Sequence, residues 1–322
     1  MQMKSVIVTG GTGFIGSALA ERLRSLVPPG EKVFAVGGRD VDLVNRERAL
    51  EWFERIHWVN EVTHVFHLAA VYKAGGWPAT HPGTQFHANM GINLSVLEGW
   101  KRFFPKARLT SVVSYCMYPD HDRLHPESEL WGTEPEPYLF SYAFTKKALL
   151  VGQRAYVQEF GLDAAALVLP TVYGPRDDFS DTSHVMGALI GKFVRAADAG
   201  APEVEVWGTG EQEREFIHVD DVVDGLLEVA GRPGFQETLN LGIGGCERIG
   251  DLARTIAALA GFRGEIVFNP NRFVGALRRG LDASRIQREL GWRPKVSLEQ
   301  GVGSAIAWYR ARRGADPAAR GR

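Results

Sequence analysis

The β-branched run Val6-Ile7-Val8 is followed at once by Gly10-Gly11-Thr12-Gly13. From Phe14 to Leu26 the apolar positions Ile15, Leu19, Leu23 and Leu26 then recur at helical spacing. A strand that feeds a helix through a turn of glycines leaves few architectures open. The turn lets helix and strand pack closely, and a helix after a strand is the start of a crossover to a parallel neighbour.

The rhythm continues. A strand over Lys32 to Val36 ends at Gly37-Gly38-Arg39-Asp40, and a helix over 46–56 leads to a strand over Thr63 to Leu68 that closes on Ala69-Ala70. A helix over 84–103, a strand over Leu109 to Ser114, a helix over 138–160 and a strand over Asp163 to Leu169 follow. Strands alternating with long helices predict an α/β protein with a Rossmann-type doubly wound parallel sheet, helices on both faces. After Pro170 the alternation breaks at the turn-rich Tyr173-Gly174-Pro175-Arg176-Asp177-Asp178, with helices expected over 185–197, 220–230, 248–260, 283–290 and 298–312. We expect a dinucleotide-binding domain over 1–171, a smaller mixed α/β substrate domain over 172–315 and a frayed tail over 316–322. The strand Thr238 to Gly242 can return to the first sheet.

Totals exclude some partners. A net charge of −1 on 322 residues gives no general attraction to nucleic acid or an anionic membrane. Two cysteines, Cys116 and Cys246, do not make a disulfide framework and fit a reducing compartment. No apolar run nears the roughly 18 residues a membrane helix needs, and the first strand begins without a leader pattern, so a cytoplasmic location is expected.

Gly10, Gly13 and Gly16 form G-x-x-G-x-x-G between strand and helix. Backbone there can approach a pyrophosphate, and the helix N-terminus offers it free N–H groups. At the end of strand two an acidic residue would favour NAD and an arginine the extra phosphate of NADP. The chain has both, Arg39 and then Asp40, and Arg39 favours NADP while NAD stays open. Asp42-Leu43 can line the adenine pocket.

Tyr142 and Lys146 lie four apart, on one helix face, and no other of the 8 tyrosines has a lysine four residues on. A lysine cation near a tyrosine lowers the phenol pKa and suits it to proton transfer. Ser114, at the end of the preceding strand, can hydrogen-bond the same substrate oxygen.

Gly10-x-x-Gly13-x-x-Gly16, His67-Leu68-Ala69-Ala70, Ser114, Tyr142-x-x-x-Lys146 and Tyr173-Gly174-Pro175 together resemble the extended short-chain dehydrogenase/reductases, the NAD-dependent epimerase/dehydratase family. The resemblance implies cofactor contacts from Thr12, Phe14, Ile15, Leu68, Ala69, Ala70, Asn89, Pro170, Val172 and His184, besides Tyr142 and Lys146. Ser114-Tyr115-Cys116-Met117-Tyr118-Pro119, Ser183-His184-Val185, Val206-Trp207-Gly208-Thr209-Gly210 and Arg214-Glu215-Phe216-Ile217-His218 are most similar to the branch that makes GDP-L-fucose.

That likeness implies an NADPH-dependent 3,5-epimerase/4-reductase of a 4-keto-6-deoxy sugar nucleotide. Cys116 matches the epimerisation base and His184 the acid. Ser114, Tyr142 and Lys146 match the reduction set. Lys192, Trp207, Arg214 and Arg279 fall where diphosphate, base or sugar is bound, though Trp207 can equally be core. The alternatives are another sugar-nucleotide 4-epimerase or 4-ketoreductase of the same family, or a dinucleotide-binding sensor without activity.

A homodimer through the helices near 84–103 and 138–160 is expected by the same analogy. Cys246, His67 and His218 read as structural, and no cluster has zinc-ligand spacing. Three places depart from the pattern: Tyr115, often small; Thr171, often asparagine; and the stretch 269–275, without the usual Lys-x-Asp-Gly. All three flank the expected sugar site.

Overall fold

The structure is a computed structural model that describes residues 3–73, 76–119, 121–132, 134–135, 137–272 and 277–315. The expected tail over 316–322, and Phe273-Val274-Gly275 of the departing stretch, lie outside the described residues.

Up to residue 173 the chain runs β1 (Ser5–Thr9), α1 (Phe14–Arg24), β2 (Val33–Val36), α2 (Arg46–His57), β3 (Val62–His67), α3 (Trp77–Thr80), α4 (Pro82–Phe103), β4 (Arg108–Ser114), β5 (Arg123–His125), α5 (Phe140–Phe160), β6 (Ala164–Leu169) and β7 (Thr171–Tyr173). It continues as α6 (Val185–Ala199), β8 (Glu203–Trp207), β9 (Glu213–Arg214), β10 (Phe216–His218), α7 (Val219–Ala230), β11 (Thr238–Asn240), β12 (Glu247–Arg248), α8 (Ile249–Ala260), β13 (Glu265–Asn269), β14 (Arg278–Leu281), α9 (Ser284–Leu290) and α10 (Leu298–Ala315).

Six strands form one parallel sheet in the order β11-β6-β4-β3-β1-β2. Its inner strands are apolar without alternation, as in Ala164–Leu169, where every residue is buried. Helices on both faces explain why. On one face Phe53, Trp100 and Leu149 of α2, α4 and α5 pack on the sheet; on the other, Leu19, Leu226 and Ile286 of α1, α7 and α9 do so. Asn45 starts α2 by accepting the Arg48 N–H at 3.1 Å, which satisfies one of the helix's first free donors.

β11 pairs with β6, so Thr238–Asn240 returns to the first sheet. A third core, built on Phe193, Ile256 and Val302, lies between α6, α8 and α10 beside the parallel pair β8–β13. The halves interlock at the sheet β12-β9-β14-β5, where Arg123–His125 pairs with Arg278–Leu281. The fully buried Glu215 knots that region by accepting N–H groups from Ile243 at 2.5 Å, Gly244 at 3.1 Å and Leu281 at 2.6 Å. No helix among the described residues is long and apolar enough to cross a membrane.

The strand order reverses at β1, with β2 on one side and β3 on the other. At such a switch point the crevice opens beyond the carboxyl ends of the strands. Gly10, Leu68 and Ser114 stand at or just past those ends.

Candidate active site

The turn after β1 is built for backbone contact. Gly10 has φ +72°, and a Cβ on it would lie 2.8 Å from the Ala69 backbone nitrogen. A Cβ on Gly16 would lie 2.1 Å from the Gly10 carbonyl oxygen, so the close approach of α1 to its strand requires glycine there. Gly13 precedes α1 without a side-chain cap, and no acidic residue occupies the first turn. The first N–H groups of α1 therefore have no intrahelical or side-chain acceptor, which suits them to phosphate.

The end of β2 separates the two cofactors. Asp40 Oδ2 accepts the Gly37 N–H at 2.8 Å, which ties its carboxylate into its own turn. Asp42 does the same, accepting the Val44 N–H at 3.0 Å. Arg39 is exposed and makes no ion pair with another described residue. The residues fit a dinucleotide with a 2′-phosphate: a free guanidinium, an engaged carboxylate and an uncapped helix end. Asn89 is buried and holds the backbone of the loop after β3 with its side-chain amide, whose oxygen accepts the Val71 N–H at 2.8 Å and whose nitrogen donates to the Val71 carbonyl at 3.0 Å.

β4 ends at Ser114, whose Oγ accepts the Cys116 N–H at 3.2 Å and so caps the single turn of 3₁₀ helix over Tyr115–Met117. This local bond is why a serine two places before the cysteine presents it at a strand end. Cys116 is buried, in no disulfide, and packs with Leu139 and Ala143 among the rings of Tyr72, Tyr115, Tyr138 and Tyr142.

Lys146 is also buried. Its Nζ donates to the Val112 carbonyl at 3.0 Å and lies 5.6 Å from the Tyr142 ring centroid, and burial lowers its pKa to about 8. The lowered phenol pKa that a nearby cation suggests is not what the free chain has. Burial first, then the neighbouring Cys116, push Tyr142 up, while the Lys146 ammonium bonds to the Val112 carbonyl of β4. Tyr142 is thus protonated at rest, the state a proton donor requires.

Beneath this set His67 lies 2.8 Å by Nδ1 from Thr9 Oγ1 and 3.2 Å by Nε2 from Asn93 Oδ1. Asn93 donates its amide to the Thr145 carbonyl at 3.0 Å, so its oxygen faces His67 and Nε2 carries the hydrogen. Burial, helped by Lys146, pushes His67 down to about 3, and it stays neutral. His218 is likewise structural: its Nδ1 accepts the Asp220 N–H at 3.3 Å at the start of α7.

His184 reaches the crevice from the start of α6. It is accessible to solvent, yet the protein crowding it lowers its pKa, opposed by the Asp178 carboxylate. Its ring stacks on Tyr72, with centroids 5.3 Å apart and planes at 6°. Tyr72 in turn packs on Tyr142 at 4.8 Å. No spacing or motif in the sequence marks Tyr72.

The remaining candidates fall in two groups, Arg214 with Arg279 on the sheet β9–β14 and Lys192 with Trp207 beside the β8–β13 pair. Arg214 and Arg279 are register partners on β9 and β14, so strand alternation sets both on one side of that sheet. The Arg279 guanidinium lies 5.6 Å from the Tyr115 ring centroid. Trp207 is 46% exposed, which places it outside the core, with Lys192 and Arg272 lying 5.5 Å and 5.4 Å from its ring centroid. Arg272 belongs to the departing stretch 269–275 and has no motif of its own. Cys246 donates to the Arg279 carbonyl at 3.4 Å and burial raises its thiol to about 11, a structural placement.

Residues 6–242 match the NAD-dependent epimerase/dehydratase family. The chain belongs to that family. It is 35% identical over 309 residues to the rice (Oryza sativa subsp. japonica) protein named Probable GDP-L-fucose synthase 1, covering 94% of this chain and 91% of that one. It is 32% identical to the GDP-L-fucose synthase of Escherichia coli (strain K12), covering 96% and 97%. Its fold matches the crystal structure of a GDP-D-glycero-L-gluco-heptose synthase from Campylobacter jejuni in the presence of NADPH, with a TM-score of 0.82, 25% identity, and 97% and 99% of the chains covered.

Proposed function

We propose that the chain is an NADPH-dependent 3,5-epimerase/4-reductase that converts GDP-4-keto-6-deoxy-D-mannose to GDP-L-fucose. The observation that carries this is the gathering of Cys116, Tyr142 and His184 around one aromatic cluster at the mouth of the crevice, in a chain whose relatives of near-equal length are named for that product.

The residues divide the work. A ketone at C4 acidifies the hydrogens at C3 and C5, and inversion needs a base on one face and an acid on the other. Cys116 as thiolate takes the proton, and His184 as imidazolium returns one from the opposite side; exchange with water restores both groups. Gly10, Gly13, Gly16 and Arg39 hold the dinucleotide, which when bound supplies a hydride. Tyr142 gives its phenolic proton to the C4 oxygen, Ser114 holds that oxygen, and the Lys146 cation stabilises the tyrosinate as it forms. Arg214 and Arg279 suit a diphosphate, for which arginine offers a planar fork, and Trp207 offers a face to the base. The sugar nucleotide then lies against residues 172–315, apart from the segments that return to the first sheet.

Tyr115 favours a second reading. A large side chain beside Cys116 narrows the sugar site, which suits a 4-ketoreductase that does not epimerise. A cysteine base outside any disulfide suits the reducing cytosol. Phe86 and Leu94 of α4, with Phe140, Phe144 and Val151 of α5, are exposed apolar residues on two helices packed together, and we assign them to a homodimer contact.

Net NADPH consumption separates the proposed reaction from an epimerase that recycles NAD, since the latter oxidises no reduced cofactor overall.

A further inference from the structure

Tyr72 stands in the loop that leaves β3, the strand beside β1, where the sheet order reverses. Its backbone is fixed from below, because the neighbouring Val71 both accepts from and donates to the buried Asn89 amide, at 3.0 Å and 2.8 Å. The ring touches two expected catalytic groups: His184, stacked at 5.3 Å with planes at 6°, and Tyr142, tilted at 4.8 Å. Cys116 belongs to the same cluster.

His184 has no comparable anchor. Among the described residues its ring makes no hydrogen bond, and it stands on the solvent-accessible first residue before α6. An imidazole with free rotation about two bonds delivers a proton poorly to a fixed carbon, and a parallel aromatic face removes that freedom.

We infer that Tyr72 is a positioning residue for epimerisation, holding the His184 imidazole at a set angle and distance across the sugar site from Cys116. The inference rests on the proposed roles of Cys116 and His184. It requires the ring and not the hydroxyl. A phenol raised by burial and by its neighbours Cys116, Tyr142 and Tyr115 stays protonated and does not act as a second base.

The test compares Tyr72→Phe with Tyr72→Leu, which keeps the bulk without the aromatic face. Two readouts are taken: deuterium uptake at C3 and C5 of GDP-4-keto-6-deoxy-D-mannose in D2O, and titration of the His184 imidazole by NMR in the free protein, assigned with His184→Asn. NADPH binding confirms that each variant is folded. Tyr72→Phe should exchange at close to the parent rate, and Tyr72→Leu should lose about 10- to 100-fold in exchange, with the His184 titration moved toward an ordinary histidine value. Parent-like exchange and an unmoved titration in Tyr72→Leu would overturn the inference alone. Absence of exchange in the parent protein would overturn the roles of Cys116 and His184 together with it.

Discussion

The Tyr115 hydroxyl lies 2.9 Å from the Thr171 hydroxyl, and these are two of the three places where the chain departs from the expected family pattern. These two departures are therefore one feature. Thr171 fixes the phenol, and the phenol ring receives the Arg279 guanidinium at 5.6 Å. Thr171→Val should cost about 1 kcal/mol of stability, the usual worth of a hydrogen bond that leaves one partner unpaired, read from urea unfolding. Tyr115→Ser should release Arg279 and raise KM for the sugar nucleotide more than it changes kcat. An unchanged KM would detach Tyr115 from the substrate site.

Replacement of Cys116 by Ser is expected to reduce C3 and C5 exchange by about 10²-fold or more, the typical contribution of a positioned acid or base. Reduction of a 4-ketone that needs no epimerisation should continue, because Ser114, Tyr142 and Lys146 are untouched. Mass spectrometry of the product formed in D2O reads the first effect, and NADPH absorbance the second.

Reduction should show a descending limb as pH rises through about 8, where Lys146 loses its proton. Below that value the ammonium stabilises the forming tyrosinate; above it the neutral amine does not. Lys146→Arg should move the limb upward, since a guanidinium stays charged. The same shift predicts a stability slope. The unfolded chain keeps this proton up to its ordinary 10.5 while the folded chain releases it near 8, so this group's contribution makes unfolding harder as pH rises between the two. A pH profile of kcat/KM without a limb near 8 would contradict the placement of the lysine.

Arg39→Ala should weaken NADPH about 10- to 100-fold, the worth of a charge-assisted contact, with little effect on NADH. The engaged Asp40 explains why the wild type is not expected to prefer NADH. Equal loss of both cofactors would place Arg39 away from the 2′-phosphate.

Phe144→Glu, an exposed change on α5, should yield monomer in sedimentation if α4 and α5 form the dimer contact. A dimer that survives this charge would move the contact elsewhere.

What could be read from the sequence was local. Gly10, Gly13 and Gly16 announce a tight strand-to-helix turn because the constraint sits within seven residues, and Tyr142 and Lys146 share a face because they lie on one helix. The apolar strands through β6 carried the sheet for the same reason. Relationships across long separations were not legible. The Tyr115–Thr171 bond joins residues 56 apart, and the β5–β14 pairing joins segments from opposite halves of the chain. Strands such as Glu213–Arg214 and Glu247–Arg248 are two residues long and carry no period. Asp40 showed its identity but not that its carboxylate was turned inward, and Tyr72 stood in a loop with nothing in its spacing to mark it.

The most direct measurement follows NADPH absorbance with GDP-4-keto-6-deoxy-D-mannose in D2O and then analyses the product. One NADPH is expected to be oxidised per GDP-L-fucose formed, with solvent deuterium at both C3 and C5. NADPH oxidation giving an unepimerised product without deuterium at C3 and C5 would contradict the central claim and leave a 4-ketoreductase.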